Sequence, residues 1–376
     1  MRAYVFTDRS LARRAGQFVW LSIDTEKTGN ADFQKKYPIR AWPSFYVIDP
    51  NREAIVLRWV GGATVAELNK FFDEGVRAVR GRAGGGTALA KADALYSEGK
   101  YAESVSDYEE ALKTLPKASR SYPRAVESLL FALATTRQSP HCVAVATEAL
   151  PAVRGSAAAA AVAGSGLDCA LRLPPDDPQR GPALAAFEKE ARAILADPTV
   201  VLAADDRSAL YGSLFDARQD AKDEAGAHTL ALEWVADLDA AERAAKTPEQ
   251  KTALDPNRLN AYDAAGEIQR AIPMLERSEK DFPQDYNPPA RLALVYLKLK
   301  KYPEALAASD RALARVYGPR KLRVLAVRTD IYTAMGDAKA ARKTLQDSLA
   351  YAEALPAGQR SEATIEDLKK KLGATE

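Results

Sequence analysis

The 376 residues of this chain are 47% hydrophobic and 28% charged, and 53 basic side chains stand against 51 acidic ones. The length allows two or three domains with ordinary cores, and the balanced charge excludes the strongly basic surface of a nucleic-acid-binding protein. No apolar run approaches the roughly 18 residues of a membrane-spanning helix, so no membrane span is predicted.

Residues 1–80 have the pattern of an α/β domain, because short apolar runs rich in β-branched and aromatic residues alternate with helical stretches. Thr64 is placed to cap a closing helix, and Glu67 three residues later completes a capping box. The elements predicted from this pattern include a short helix at 30–37, a strand at 45–48 and the closing helix after Thr64.

Pro43 stands at the entry of the strand at 45–48, where the missing amide donor of a proline is tolerated and a cis peptide bond is a candidate. Tyr37-Pro38-Ile39 followed by Trp42-Pro43-Ser44-Phe45 resembles the cis-proline segment of thioredoxins, with Ser44 in place of the usual threonine. The resemblance covers residues 1–80 and implies a thioredoxin-like domain, with a helix at 2–15, a strand at 18–24 and a last strand at 56–62. It also implies that Trp42, Pro43 and Ser44 contact the backbone of an extended peptide.

Thioredoxins carry a Trp-Cys-x-x-Cys motif at the start of the helix predicted here at 2–15, yet the first cysteine of this chain is Cys142. Thiol–disulfide exchange needs an attacking thiolate and a second, resolving thiol, so no redox catalysis is predicted for the residues as given. The resemblance implies a domain that is incomplete at its N-terminus, with a further segment expected upstream of Met1.

Residues 81–87 are glycine-rich and predict a flexible linker between domains. The glycines and Thr87 faintly resemble a phosphate-binding loop, but that motif needs a lysine before the threonine and a strand before the loop. A linker is therefore the better interpretation.

Residues 88–250 are predicted to be helical, with one clear tetratricopeptide-like helix pair and several degenerate pairs. The clear pair runs from Leu95 to Pro116 and turns at Gly99, with tyrosines and small residues where its helices cross. Further helices are predicted at 122–136, 140–153, 157–173, 182–195, 204–221 and 225–246.

Residues 251–376 contain a measurable repeat. Tyr262 recurs as Tyr296 and Ala271 as Ala305, each 34 residues later, which is the tetratricopeptide period. A further unit with Tyr332 follows after 36 residues, and the additional length falls in the turn at 317–319. Residues 361–373 are predicted to form a capping helix. Because repeated helix pairs stack on one another, the region is expected to be an all-α superhelical solenoid, and we expect its groove to bind a protein or peptide partner.

Cys142 and Cys169 are the only cysteines, and they lie at matching distances from the turn predicted at Gly155-Ser156. Two interpretations stay open, a disulfide in an oxidising compartment or two small buried side chains at a helix crossing. His141 and His228 lack the further ligands of a zinc site. No metal site and no cofactor is predicted.

Other candidates for chemistry are better explained by structure. Gly164-Ser165-Gly166 lies inside a predicted helix, unlike the nucleophile of a hydrolase, and its small residues predict a close helix approach. The lysine and asparagine pattern with which some tetratricopeptide proteins clamp a C-terminal carboxylate is missing. The recurring tyrosines are predicted to be mainly core residues.

The fold class predicted from the sequence is thus a partial α/β thioredoxin-like domain followed by a tetratricopeptide-like solenoid. The function predicted is a protein–protein interaction scaffold, with no catalytic residues. The alternative is a thiol–disulfide oxidoreductase whose CxxC lies upstream of Met1, and a third option is a decayed domain that only caps the solenoid. The chain shows no signal peptide at Met1, so a cytoplasmic location is expected by default, and a periplasmic or secreted one if the start lies upstream.

Overall fold

The computed structural model describes residues 3–39, 42–81 and 86–373. Its strands are β1 (Ser44–Asp49) and β2 (Ala54–Val60). Its α-helices are α1 (Ala31–Lys36), α2 (Val65–Val79), α3 (Gly86–Ser97), α4 (Tyr101–Thr114), α5 (Tyr122–Thr135), α6 (Ser139–Val153), α7 (Ala157–Leu171), α8 (Arg180–Ala196), α9 (Ala204–Asp220), α10 (Glu224–Ala244), α11 (Pro248–Thr252), α12 (Asp255–Ala264), α13 (Ala271–Asp281), α14 (Asn287–Lys298), α15 (Tyr302–Leu313), α16 (Lys321–Met335), α17 (Ala338–Ala354) and α18 (Glu362–Gly373).

The chain divides into two compact units. The first consists of Met1–Gln17 and Ile39–Ala241, and the second of Phe18–Pro38 and Glu242–Glu376. Residues 18–38 belong to the second unit, although the residues before and after them in the sequence belong to the first. We call this segment the strap. Among the described residues, no helix combines the length and the apolar character needed to cross a membrane.

The sheet of the first unit is an antiparallel hairpin in which Phe45 faces Trp59 and Tyr46 faces Arg58. One face is covered by α2, where a side chain at Gly75 would come within 2.7 Å of Val47. The other face meets α3 and α4, where the Arg58 guanidinium lies 5.9 Å from the ring centres of Tyr96 and Tyr101. The predicted capping box of Thr64 and Glu67 is confirmed at the start of α2.

Two predictions for residues 1–80 are wrong. Residues 18–24 form no strand. The stretch predicted as a helix at 2–15 contains only a short 3-10 helix, Arg9–Arg14, within its described residues. This short helix is anchored because the Arg14 guanidinium donates hydrogen bonds to Asn69 on α2. In the part of the chain described here, β1 and β2 pair only with each other, so the segment at 18–24 has no strand with which to share its backbone hydrogen bonds. A two-stranded sheet does not by itself show the predicted thioredoxin-like fold.

A buried charge cluster joins α2, α3 and α5. Arg124 donates to Glu74 at 2.7 Å and to both carboxylate oxygens of Asp93 at 2.6 and 2.9 Å, and Tyr108 donates to Asp93 at 2.8 Å. The three charged residues are buried, so the two carboxylates and the guanidinium must compensate the charge of one another in place of water. The cluster therefore links α2, the helix that follows the sheet, to α3 and α5.

The helices predicted for 121–250 are confirmed to within about two residues at each end as α5 to α10. The predicted turn at Gly155 has the left-handed φ of 73° that favours glycine. The small residues of α7 allow the predicted close approach, since a side chain at Gly166 would come within 2.5 Å of the Phe187 ring on α8. Helix α3 begins at Gly86, and residues 82–85 of the predicted linker lie outside the described residues.

Within its described residues, the second unit contains three helix pairs, α12 with α13, α14 with α15 and α16 with α17, followed by α18 as the predicted cap. The residues at repeat spacing are buried where the helices of a pair cross, as Tyr262, Ala271 and Ala305 show. The prediction that the recurring tyrosines are core residues holds for Tyr96, Tyr101, Tyr108 and Tyr262, whereas Tyr296, Tyr302 and Tyr332 are only half-buried.

Candidate peptide-binding surfaces

The predicted proline loop lies at the start of β1 in the first unit. The Trp42–Pro43 peptide bond is cis, and the Pro43 carbonyl accepts a hydrogen bond of 2.9 Å from the Gly61 amide. Ser44 is the first residue of β1 and faces Val60. Trp42 is 53% exposed. The three predicted residues are therefore adjacent at one end of the hairpin, with an aromatic side chain open to solvent.

Carboxylates crowd the loop that follows β2 at this end of the hairpin. A side chain at Gly62 would lie 3.2 Å from the carboxylate of Asp206 on α9. Burial, together with the charges of Glu67 and Asp205, raises the pKa of Asp206 to about 7. Burial and the charges of Glu67 and Asp206 also raise the pKa of Glu127 on α5 well above its usual range. Among the described residues, these carboxylates and the other His, Cys, Asp and Glu side chains form no group of three with metal-binding geometry.

Cys142 on α6 and Cys169 on α7 lie at the same level of this helix pair. Their Cα atoms are 6.1 Å apart and their Sγ atoms are joined in a disulfide bond. Both residues are fully buried, so the bond holds the two helices together and is out of reach of an external thiolate.

The two histidines do not come together. His141 on α6 pairs with Glu109 on α4, and His228 lies on the exposed side of α10. Neither position resembles a metal site or a catalytic site.

The strap of the second unit contains a tight turn built by its own side chains. The Asp24 carboxylate accepts from the Glu26 amide at 2.9 Å, and the Asp24 carbonyl accepts from the Asn30 side chain at 2.8 Å. Gln34 on α1 donates to the Thr25 carbonyl at 2.6 Å. An aspartate that accepts from the amide two residues later forms a local turn of its own, so the strap presents a preformed acidic turn rather than a random loop.

The repeats hold this turn by its backbone. The side-chain amide of Gln359, which is buried, donates to the Thr25 carbonyl at 2.8 Å and to the Lys27 carbonyl at 3.1 Å. Gln359 lies in the connection between α17 and α18. Because both acceptors are main-chain oxygens, this contact recognises the shape of the turn and not its side chains.

The repeats also hold the two carboxylates of the turn. Glu26 accepts from the Arg320 amide at 2.9 Å and from its guanidinium at 3.2 Å, and only 14% of the Glu26 side chain is exposed. The hydroxyl of Tyr317 donates to Asp24 at 2.6 Å, and this hydrogen bond raises the pKa of Tyr317 to about 12. Arg320 immediately precedes α16, so the amide that meets Glu26 belongs to the positive end of a helix.

Two glycines bring the repeat backbone against the strap. Gly318 has a φ of 61°, and a side chain there would lie 2.8 Å from the Cα of Glu26 and still closer to its carbonyl oxygen. A side chain at Gly358 would collide with the carbonyl group of Ala31. We call Tyr317, Gly318, Arg320, Gly358 and Gln359 the strap-binding surface.

Sequence reasoning did not identify this surface. Tyr317, Gly318 and Arg320 lie in the connection where the repeat period lengthens from 34 to 36 residues, and this lengthening by itself predicts only a longer turn. The two additional residues were a signal of a specialised connection. No local pattern pointed to Gln359.

The tetratricopeptide repeat family matches residues 286–354, a range that includes Tyr317, Gly318 and Arg320. The predicted repeats are therefore confirmed for this part of the second unit. No curated protein matches the chain.

Several solved helical structures are similar to the chain at low identity. A tetratricopeptide repeat protein from Parabacteroides merdae is 10% identical, with a TM-score of 0.46, and the match covers 77% of this chain and 97% of that one. BtubC from P. vanneervenii is 22% identical, with a TM-score of 0.35 and coverage of 57% and 81%. The TPR2AB domain of yeast Sti1, solved in a complex with pHSP90, is 15% identical, with a TM-score of 0.29 and coverage of 76% and 97%.

Proposed function

We propose that this protein is an interaction scaffold whose second unit binds a segment of a partner protein. The observation that carries the proposal is the acidic turn at 24–27, which the connections of the repeats already hold through Arg320 and Gln359. A surface that binds main-chain carbonyls and carboxylates is built for polypeptide. The match to the tetratricopeptide repeat family supports it, because stacked helix pairs offer extended surfaces for partners.

The chemistry of the strap-binding surface favours recognition over catalysis. Its polar groups are hydrogen-bond donors, namely a phenol, a guanidinium, an amide side chain and a main-chain amide. Donors of this kind fix the position of an anionic or carbonyl group. Such an arrangement suits a protein that holds a partner in a defined register.

We also propose that residues 1–80 are related to thioredoxins, and that Trp42, Pro43 and Ser44 of the first unit form a second peptide contact without redox chemistry. The support is the motif around Pro43 together with a hairpin that leads into a capped helix. The exposed Trp42 offers an aromatic anchor, of the type enriched at binding hot spots. A Pro43→Ala variant tests this role, because a mere cap of the solenoid would lose stability without losing a partner.

The proposal for the second unit is tested by selecting binders from a library of displayed peptides on the immobilised full-length protein. Hydrogen exchange of each complex then locates the bound peptide. We expect protection to increase in the helices and connections of residues 286–354. A library that yields no binder to the folded protein, or binders that protect only the first unit, would overturn the proposal.

A further inference from the structure

We infer that the strap is a displaceable internal ligand, and that the strap-binding surface takes an acidic turn of a partner protein, with carboxylates two residues apart, in place of Asp24 and Glu26. This inference rests on the proposed function and adds the class of partner and the way in which access is regulated. The occupant expected is a polypeptide segment of the form Asp-x-Glu that precedes a short helix.

The contacts define which features of a ligand matter. Main-chain carbonyls at positions 25 and 27 meet Gln359, and the carboxylates at positions 24 and 26 meet Tyr317 and Arg320. The side chain at position 27 is exposed and the one at position 25 is buried. A partner therefore needs both carboxylates and a small residue between them, whereas the residue after the glutamate is free to vary.

The charge balance of the surface favours an acidic ligand. Arg320 brings its guanidinium and its main-chain amide to one carboxylate, and the side chain of Glu26 is mostly withdrawn from water. A charge-assisted contact in such a place discriminates against a neutral replacement, because the guanidinium would lose the carboxylate charge that lies against it. The surface should reject a turn in which glutamine replaces the glutamate.

The glycines restrict the surface to a ligand that lies flat on it. At Gly318 and Gly358 the strap backbone occupies the space that a side chain would need. This close approach of backbone to backbone fits a polypeptide turn better than a small anion, which would not fill both positions. The occupant is therefore a peptide and not a free phosphate or carboxylate.

The strap is attached in a way that permits release. Residues 18–24 have no regular secondary structure, and Val19 and Leu21 are 88% and 68% exposed. Each polar contact that holds the turn contributes only a small net free energy, because water can form hydrogen bonds with the same groups once the turn is released. Because both ends of the strap continue into the first unit, the strap competes at an effective concentration of about a millimolar, and a partner must overcome this competition.

The decisive experiment measures the binding of a fluorescent synthetic peptide of residues 22–36 to the full-length protein. Glu26→Ala weakens the strap and leaves the surface intact, so we expect this variant to bind the peptide at least tenfold more tightly than the unaltered protein. Adding Arg320→Ala removes the surface partner and should reverse the gain by at least tenfold. Glu366→Ala changes an exposed glutamate on α18 and serves as the matched control.

A second peptide, with glutamine at the position of Glu26, should bind the Glu26→Ala protein about tenfold more weakly. Gln359→Leu offers an independent surface variant if the arginine variant fails to fold, and circular dichroism checks folding in each case. Arg320→Lys should restore part of the affinity, because the main-chain amide and a positive charge remain.

Four outcomes would overturn the inference. A folded Glu26→Ala protein that binds no peptide up to a millimolar shows that the strap is a permanent part of the unit. Equal binding of the glutamate and glutamine peptides removes the acidic specificity. A Glu26→Ala protein that dimerises and resists the peptide in light scattering assigns the surface to a second copy of the chain. Peptides selected from the library that protect the repeats without competing with the 22–36 peptide would sink this inference and leave the proposed function standing.

Discussion

Replacing Gly318 by alanine tests how much the contact with the strap stabilises the second unit. The comparison with Gly336 separates this contribution from the free energy that alanine loses in a left-handed backbone conformation. Gly318 and Gly336 both have a left-handed φ, of 61° and 77°, and follow repeat helices of the second unit. A side chain at Gly336 would meet nothing within 4 Å, whereas one at Gly318 would overlap the backbone of Glu26. Gly336→Ala is therefore a matched control for the backbone conformation alone.

The expected magnitudes differ accordingly. Alanine in the left-handed region costs about 1 kcal/mol, and this is the whole effect expected at Gly336. At Gly318 the turn must also leave the surface, which removes two neutral hydrogen bonds from Gln359 and the charge-assisted pair of Arg320 with Glu26. Counting only these contacts, at about 1 kcal/mol for each neutral bond and about 1.5 kcal/mol for the charged pair, detachment of the strap becomes easier by about 3.5 kcal/mol.

Limited proteolysis measures this detachment directly, because Lys27 lies in the turn and trypsin needs a segment that has left the surface. When opening is fast relative to cleavage, about 3.5 kcal/mol corresponds to roughly a few hundredfold faster cleavage at Lys27. We expect that acceleration for Gly318→Ala and little change for Gly336→Ala. Equal cleavage rates in the two variants would refute the reasoning, since the steric contact with the strap would then have no energetic consequence.

Further predictions concern the first unit. The pKa of Asp206 is raised to about 7, so its carboxyl favours folding below pH 4 and loses this contribution as the pH rises through 7. Asp206→Asn, which removes repulsion from Glu67, should therefore match the unaltered protein near pH 4 in urea unfolding and exceed it by about 1–2 kcal/mol at pH 8. Reduction of the Cys142–Cys169 disulfide in the denatured chain, where the bond is accessible, should lower the free energy of unfolding by about 3.5 kcal/mol, because the bond closes a loop of 27 residues; alkylation of unreduced, denatured protein would show its absence. Gly166→Ala should lower the melting temperature by several degrees, because the facing ring on α8 leaves no room for a methyl group; an unchanged melting temperature would contradict this packing.

Much of the helical architecture could be predicted because its signals are local. Proline, glycine and the apolar period mark the ends of α5 to α10 without reference to distant residues, and Thr64 with Glu67 marks the start of α2. The repeat of 34 residues is likewise a property of the sequence alone, since each helix pair buries the same kinds of side chain at the same positions.

The sequence by itself therefore determined the helix pairs and the repeat. Only the tertiary structure decided what the strap does. Residues 18–24 have strand-forming side chains, but a strand needs a neighbour for its backbone, and in the described residues the hairpin supplies none. The turn that follows is instead held by Gln359, more than 330 positions away in sequence. A contact between such distant residues depends on the folded arrangement of whole helices, and no local pattern in either segment encodes it.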